Sequence, residues 1–288
     1  VVRFGISLYS VSRAIRGGQL TVEDAIQWIA DQGAEHVEIV PAGFSLEQEP
    51  ELIEVIRKKA EEAGIAISNY AVGANFITDT EEAYEEAVRK VIRHVDIAAE
   101  LGVKRMRHDV ASRPLDQIGI AQFERDLDRM VEACRRVADY ASQYGITTSV
   151  ENHGYYVQAS DRVQRLVLAV DRPNFRTTLD VGNFMCADED PVTAVQKNIG
   201  LASMVHLKDF YRRPSYRIPG EGWFQSASGN HLRGAIVGHG DIDLPEVIRV
   251  IKRSGYDGDI SIEFEGLEDC LQGTKIGLAN ARRMWDEA

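Results

Sequence analysis

Cysteine is scarce in this chain of 288 residues: Cys134, Cys186 and Cys270 are odd in number, far apart and in no CxxC pair. That excludes a disulfide framework and a zinc ribbon, and leaves three reduced, structural thiols. Positive charge is short as well. Lysine and arginine number 33 against 45 aspartates and glutamates, a formal net charge of −12, which argues against a protein that draws its affinity from neutralising phosphates. No apolar run approaches the roughly 18 residues of a membrane-crossing helix. The opening VVRFGISLYS lacks the apolar segment and small-residue cleavage site of a secretory leader. The chain therefore reads as cytoplasmic, with a small-molecule substrate and neither a nucleic-acid nor a membrane partner. No Pro/Gly/Ser-rich linker divides it, and no GxGxxG follows the first strand-like segment, which weakens a doubly wound dinucleotide-binding sheet.

What is present is one repeated pattern in an ordinary globular composition, 44% hydrophobic and 27% charged. FGISLY (4–9) reads as a strand. TVEDAIQWIADQG opens on Thr21 and Asp24 as a capping pair and closes on Gly33, and HVEIV (36–40) is strand-like again. The alternation continues through IAISNY, VKRMRH, ITTSVE, FRTTLD, SMVHLKD and DISIEFE, with amphipathic stretches between them and Gly64, Gly102 and Gly145 stopping three of the helices. Eight strands alternating with eight helices predict an α/β fold, a single (β/α)8 TIM barrel over residues 1–288.

In such a barrel, polar residues that close an apolar strand lie where chemistry occurs. Side-chain alternation assigns their faces. In DISIEFE the apolar Ile260, Ile262 and Phe264 turn outward and leave Glu263 and Glu265 inside; the same parity puts His206 and Lys208, Glu151 and His153, and Asp180 inside. Glu151, Asp180, His206 and Glu263 therefore converge at one rim. Three buried carboxylates repel one another and are costly to desolvate unless a cation sits between them. One divalent ion answers that cost, and oxygen-rich ligation with one histidine suits Mn²⁺, Mg²⁺, Co²⁺ or Zn²⁺ alike.

The motifs VENHG, LDVGN, VHLKD and ISIEFEG, in that order after strands five to eight, resemble the xylose-isomerase-like barrels, which include sugar isomerases, ketose 3-epimerases, inosose dehydratases and apurinic endonucleases. The resemblance implies that Glu151, Asp180, His206 and Glu263 are the metal ligands, and that in an epimerase-type reaction Glu151 and Glu263 also move the protons. A bound ion would polarise a sugar carbonyl and stabilise the enediolate left by proton removal. His153 is a further catalytic candidate, as base or hydrogen-bond partner. Many similar chains carry histidine where this one has Asn183, and an amide cannot shuttle protons, so Asn183 is expected to orient a substrate hydroxyl.

Substrate contacts are expected from Tyr9 and Glu38 at the barrel mouth, from His108 on strand four, and from Lys208, Arg217 and Trp223. The last two lie in a long connection, about 209–243, that reads as a lid. A lysine or arginine there suits a phosphate or carboxylate, and Trp223 suits a sugar ring. The leading function is a metal-dependent isomerase or epimerase of a sugar, keto-sugar or cyclitol. The alternative is a metal-dependent lyase, either an inosose-type dehydratase or an enzyme eliminating a group from a 3-keto-glycoside, C-glycosides included. An endonuclease, which only His108 supports, and a non-catalytic barrel subunit rank below these. A homo-oligomer or a partner subunit is left open.

Overall fold

A computed structural model describes residues 1–288. The apolar segments become eight parallel strands: β1 (Arg3–Ser7), β2 (His36–Ile39), β3 (Ala66–Val72), β4 (Arg105–His108), β5 (Thr147–Glu151), β6 (Phe175–Asp180), β7 (Ala202–Leu207) and, after three further strands outside the barrel, β11 (Asp259–Ile262). Each pairs with its neighbours in sequence, and β11 pairs with β1, so the sheet closes on itself. Around it run α1 (Ser12–Arg16), α2 (Val22–Asp31), α3 (Glu51–Ala63), α4 (Glu81–Leu101), α5 (Ile120–Ser142), α6 (Ser160–Val170), α7 (Pro191–Asn198), α8 (Leu244–Arg253) and α9 (Cys270–Glu287). The short α1 is additional to the eight expected helices.

Local chemistry explains the boundaries. Thr21 and Asp24 form the reciprocal capping box at the start of α2, with bonds of 3.1 and 3.0 Å. Gly64 and Gly102 end α3 and α4 in the left-handed conformation, at φ of 70° and 78°, which costs glycine nothing. The outward faces of the strands meet the apolar faces of the helices in one continuous core containing Ile6, Val37, Met106, Val150, Leu179, Val205 and Ile260. Burying each such side chain contributes about 1.5–3 kcal/mol. All three cysteines are free and buried. At the amino-terminal end of the barrel, Asp259 accepts from Arg3 at 2.7 Å and from Arg105 at 2.6 Å, closing that end with paired charges. The carboxyl-terminal end is left for other chemistry.

The long connection after β7 is not irregular. It folds into an antiparallel sheet of β8 (Asp209–Arg213), β9 (Phe224–Gln225) and β10 (His231–Ala235), in the order β8-β10-β9. Asp209 pins its return, accepting the backbone N–H groups of Phe210, Gly238 and Gly240 at 2.9, 3.0 and 2.8 Å. Gly234 lies so close to the rim that a Cβ there would sit 2.5 Å from the carbonyl oxygen of Glu265. The lobe is thereby seated on the end of β11.

Candidate active site

Register brings the inward residues together. Asp180 pairs with His206 across β6 and β7, and Ser261 pairs with His206 across β11. Glu151 closes β5, and Glu263 follows β11 with its N–H still bonded to the Leu207 carbonyl at 3.0 Å. One donor atom from each of Glu151, Asp180, His206 and Glu263 lies within 4.8 Å of the others, and all four residues are buried. From His206 Nδ1 the distances are 3.8 Å to Glu151 Oε1, 3.9 Å to Asp180 Oδ2 and 3.6 Å to Glu263 Oε2.

Each of the four side chains is held by its other polar atom. His206 Nε2 meets Glu38 Oε2 at 2.8 Å, and Asn69 donates to Glu38 Oε1 at 2.9 Å. Asp180 Oδ1 accepts the N–H groups of Gly182 and Asn183, both at 2.8 Å. Glu151 Oε2 is ion-paired with Arg107 Nε at 2.8 Å, and Ser7 Oγ reaches Glu263 Oε1 at 3.4 Å. Asn152 explains the polar run at the end of β5. Its amide bonds the backbone carbonyl and N–H of Asp180 at 2.8 and 2.9 Å, continuing the ladder by a side chain and fixing the aspartate next door.

The electrostatics follow from crowding. Burial pushes the Asp180 carboxyl up to about 7, against the opposing effect of Lys208 and with Glu263 and Glu151 adding to it. Burial also opposes ionisation of Glu151, but Arg107 and His206 outweigh it and hold that carboxyl at about 2. Glu263 is held well below the usual range, Lys208 and His206 overcoming burial. Lys208 Nζ lies 3.2 Å from Asp180 Oδ2 and 2.9 Å from Glu263 Oε2. Even so, His206 Nδ1 and Asp180 Oδ2 are buried without a hydrogen-bond partner. These two orphaned atoms, together with the Glu151 and Glu263 oxygens that face the same point, make three hard oxygens and an imidazole nitrogen, a set that fits a divalent cation.

Other sequence expectations separate at this point. His153 stands at the mouth, with its side chain half exposed and Nδ1 3.5 Å from Asp109 Oδ1. Beside it a cavity of about 130 Å³ is lined by His153, Tyr155, Asn183, Lys208, Phe224 and Glu265 among others. Lys208 thus borders both centre and mouth, and Tyr9 reaches the same rim, its hydroxyl 3.2 Å from Glu265 Oε2. Asn183 serves the centre: its Nδ2 donates to Glu151 Oε1 at 3.1 Å and its Oδ1 accepts from Lys208 at 3.2 Å. Two substrate-binding expectations are corrected. Glu38 is fully buried behind His206, because its inward direction ends on the imidazole. His108 shares the outward face of β4 with Met106 and packs between Phe76 and Phe175, its Nδ1 2.9 Å from the Asp109 carbonyl oxygen. Trp223 lies beside the guanidinium groups of Arg213 and Arg233, each 5.6 Å from its ring centre. Arg217 is exposed on the lobe.

Sequence reasoning missed Arg107, the inward residue of β4, and Asp109 beyond it. The signal was available, since an outward Met106 makes Arg107 inward. Tyr155 was missed for a better reason. Its backbone has φ of 66°, and its hydroxyl donates to the Gln225 carbonyl at 2.7 Å, a contact that exists only once the lobe is seated.

Comparison with known proteins agrees with this fold. An inosose dehydratase of Clostridium perfringens strain 13 is 22% identical over 225 residues, covering 75% of each chain. The D-psicose 3-epimerase of Clostridium cellulolyticum H10, solved with D-tagatose, superposes with a TM-score of 0.73 at 16% identity, over 98% of this chain and 99% of that one. A xylose isomerase-like barrel from Mycobacterium smegmatis in complex with magnesium gives 0.71 at 18% identity, over 98% and 97%. Residues 26–284 match a single family description, and the chain belongs to the xylose isomerase-like TIM barrel family.

Proposed function

We propose that this protein is a metal-dependent enzyme that removes the proton beside the carbonyl of a keto-sugar or keto-cyclitol and completes the reaction by elimination. The observation that carries this reading is the four-residue centre, in which each side chain has one atom anchored by the protein and another turned to a common point. Glu151, Asp180, His206 and Glu263 would hold the ion, with Mn²⁺ our first choice and Mg²⁺ next. A divalent ion held there supplies Lewis-acid polarisation of the substrate carbonyl and stabilises negative charge developing on its oxygen.

The protein's own groups do the rest. His153, outside the centre and backed by Asp109, is the base that takes the carbon-bound proton. Asp109 also raises the basicity of the imidazole, burial opposing and Glu151 assisting, so the neutral ring is a stronger proton acceptor. Lys208 and Asn183, which border the cavity, hold the carboxylates of the centre in place beside the substrate. Loss of the neighbouring hydroxyl, with a proton, leaves a carbon–carbon double bond and one water, so atoms and charge balance. The lobe carrying Phe224 covers the reacting ring and limits water entry.

Epimerisation or isomerisation is the second reading, favoured by the placement of Glu151 and Glu263 together at the centre. Against it, both glutamates already face cations, Glu151 through its outer oxygen to Arg107 and Glu263 through its inner oxygen to Lys208, whereas His153 is a single base on one side. Incubation with Mn²⁺ and a panel of ketoses, inososes and 3-keto-glycosides in D₂O separates the outcomes. Mass loss of water or of an aglycone marks elimination; deuterium uptake without mass loss marks epimerisation or isomerisation. Absence of exchange and of product with every ketone, in protein shown to carry metal, would overturn the proposal.

A further inference from the structure

The charge balance of the mouth bears on what it admits. Around the centre stand six carboxylates, from Glu38, Asp109, Glu151, Asp180, Glu263 and Glu265, and two permanent cations, Arg107 and Lys208. A divalent ion cancels only two of the four charges in excess. Neither cation is free to receive an anion. Arg107 is committed to Glu151 at 2.8 Å and Asp109 at 3.1 Å. Lys208 is committed to Asp180, Glu263 and Glu265, at 3.2, 2.9 and 3.6 Å. The arginines of the lobe do not replace them. Arg213 pairs with Asp241 at 3.1 Å, Arg233 faces Glu268 at 3.6 Å, and Arg217 is exposed.

Glu265 gives this surplus a direction. It lines the cavity beside the centre together with His153, Asn183 and Lys208. Its Oε2 is engaged by the Tyr9 hydroxyl at 3.2 Å, while its Oε1 has no protein partner among the hydrogen bonds of the structure. Tyr9 and Lys208 hold the carboxylate in place, and the free oxygen offers an acceptor to a donor entering the cavity. A hydroxyl satisfies it; a phosphate or carboxylate brings a second anion against it.

We propose that Glu265, positioned by Tyr9, is the specificity residue of this mouth: it accepts a hydroxyl of an uncharged polyhydroxylated ring and excludes phosphorylated or carboxylated analogues. This rests on the keto-sugar or keto-cyclitol reading for the location of the substrate, but it is tested by binding alone. The metal-loaded protein is titrated calorimetrically with D-fructose and myo-inositol and with D-fructose 6-phosphate and myo-inositol 1-phosphate, at low and at physiological salt. At least one neutral polyol binds, and its phosphate ester binds at least about tenfold more weakly at low salt, the gap narrowing as salt rises. In Glu265→Gln, which keeps the shape and removes the charge, the neutral polyol weakens and the gap shrinks several-fold. Equal or tighter binding of both esters to the parent protein, or no binding of either neutral polyol, overturns the proposal. So does an unchanged gap in Glu265→Gln. Because these readouts need no turnover, a failure here is distinct from failure of carbon-bound proton exchange, which sinks the catalytic reading instead.

Discussion

Glu38 provides a sharp test of the centre, because it is fully buried and touches no position where substrate is expected. Its carboxylate receives His206 Nε2–H at 2.8 Å and the Asn69 amide at 2.9 Å, which fixes the imidazole with Nδ1 turned to the other three donors. Hydrogen bonds to a charged group contribute about 1.5–3 kcal/mol and neutral ones about 0.5–1.5 kcal/mol. Glu38→Gln therefore loses about 1–1.5 kcal/mol of support for the ligand, provided that Asn69 rotates its amide. It has reason to do so, since Asn69 Oδ1 is buried and lacks a partner. The expected result is a loss of metal affinity of roughly fivefold to thirteenfold with little change in folding. Glu38→Ala removes the acceptor and strands the His206 N–H, and its affinity should fall towards the roughly 100-fold end of the range for partners of metal-ligating histidines. Competition with a chelating fluorophore reads both values, and circular dichroism melts of the metal-free proteins check the fold. If Glu38→Ala bound Mn²⁺ as tightly as the parent, His206 would not be a ligand and the centre would have to be redrawn.

Two further predictions separate chemistry from packing. His153→Ala should keep its metal and its melting temperature but lose roughly 10²- to 10⁴-fold in turnover; parental turnover in the metal-loaded variant would remove His153 from the mechanism. Burial lowers His108 to about 4 from its usual 6.5. A base depressed in the folded state contributes stability above pH 6.5, and that contribution is lost as the pH falls through 4. The window is worth at most about 3 kcal/mol. His108→Gln should flatten the dependence of melting temperature on pH between 6.5 and 4, and an equally steep profile in the variant would show that other groups govern acid lability.

The centre was legible in the sequence because it obeys strand parity. Ile260 and Ile262 point outward on a strand whose other face cannot then be anything but inward, and Glu263 follows; the same rule reaches His206 past Val205 and Glu151 past Val150. Where parity was not applied, the reading failed. His108 drew attention as a titratable residue at a strand end, although Met106 two positions earlier sends it into the helical layer and hands the interior to Arg107. Glu38 was assigned the correct face but the wrong depth. Parity gives direction around the barrel and says nothing about how far down its axis a side chain lies, nor that His206 waits opposite.

Hydrophobic period, capping residues and strand-end polarity are local properties, and by themselves they determined the (β/α)8 order, the inward set Glu151, Asp180, His206 and Glu263, and the acidic character of the chain. Tertiary structure decided everything that depends on two distant segments meeting. It folded the 209–243 connection into a sheet and seated it on Glu265 through Gly234. It placed Asn152 against the backbone of Asp180 and Arg107 against Glu151. The physical reason is that a side chain's direction is set by its own backbone, whereas its partner is set by closure of the barrel, which fixes the register between strands far apart in sequence.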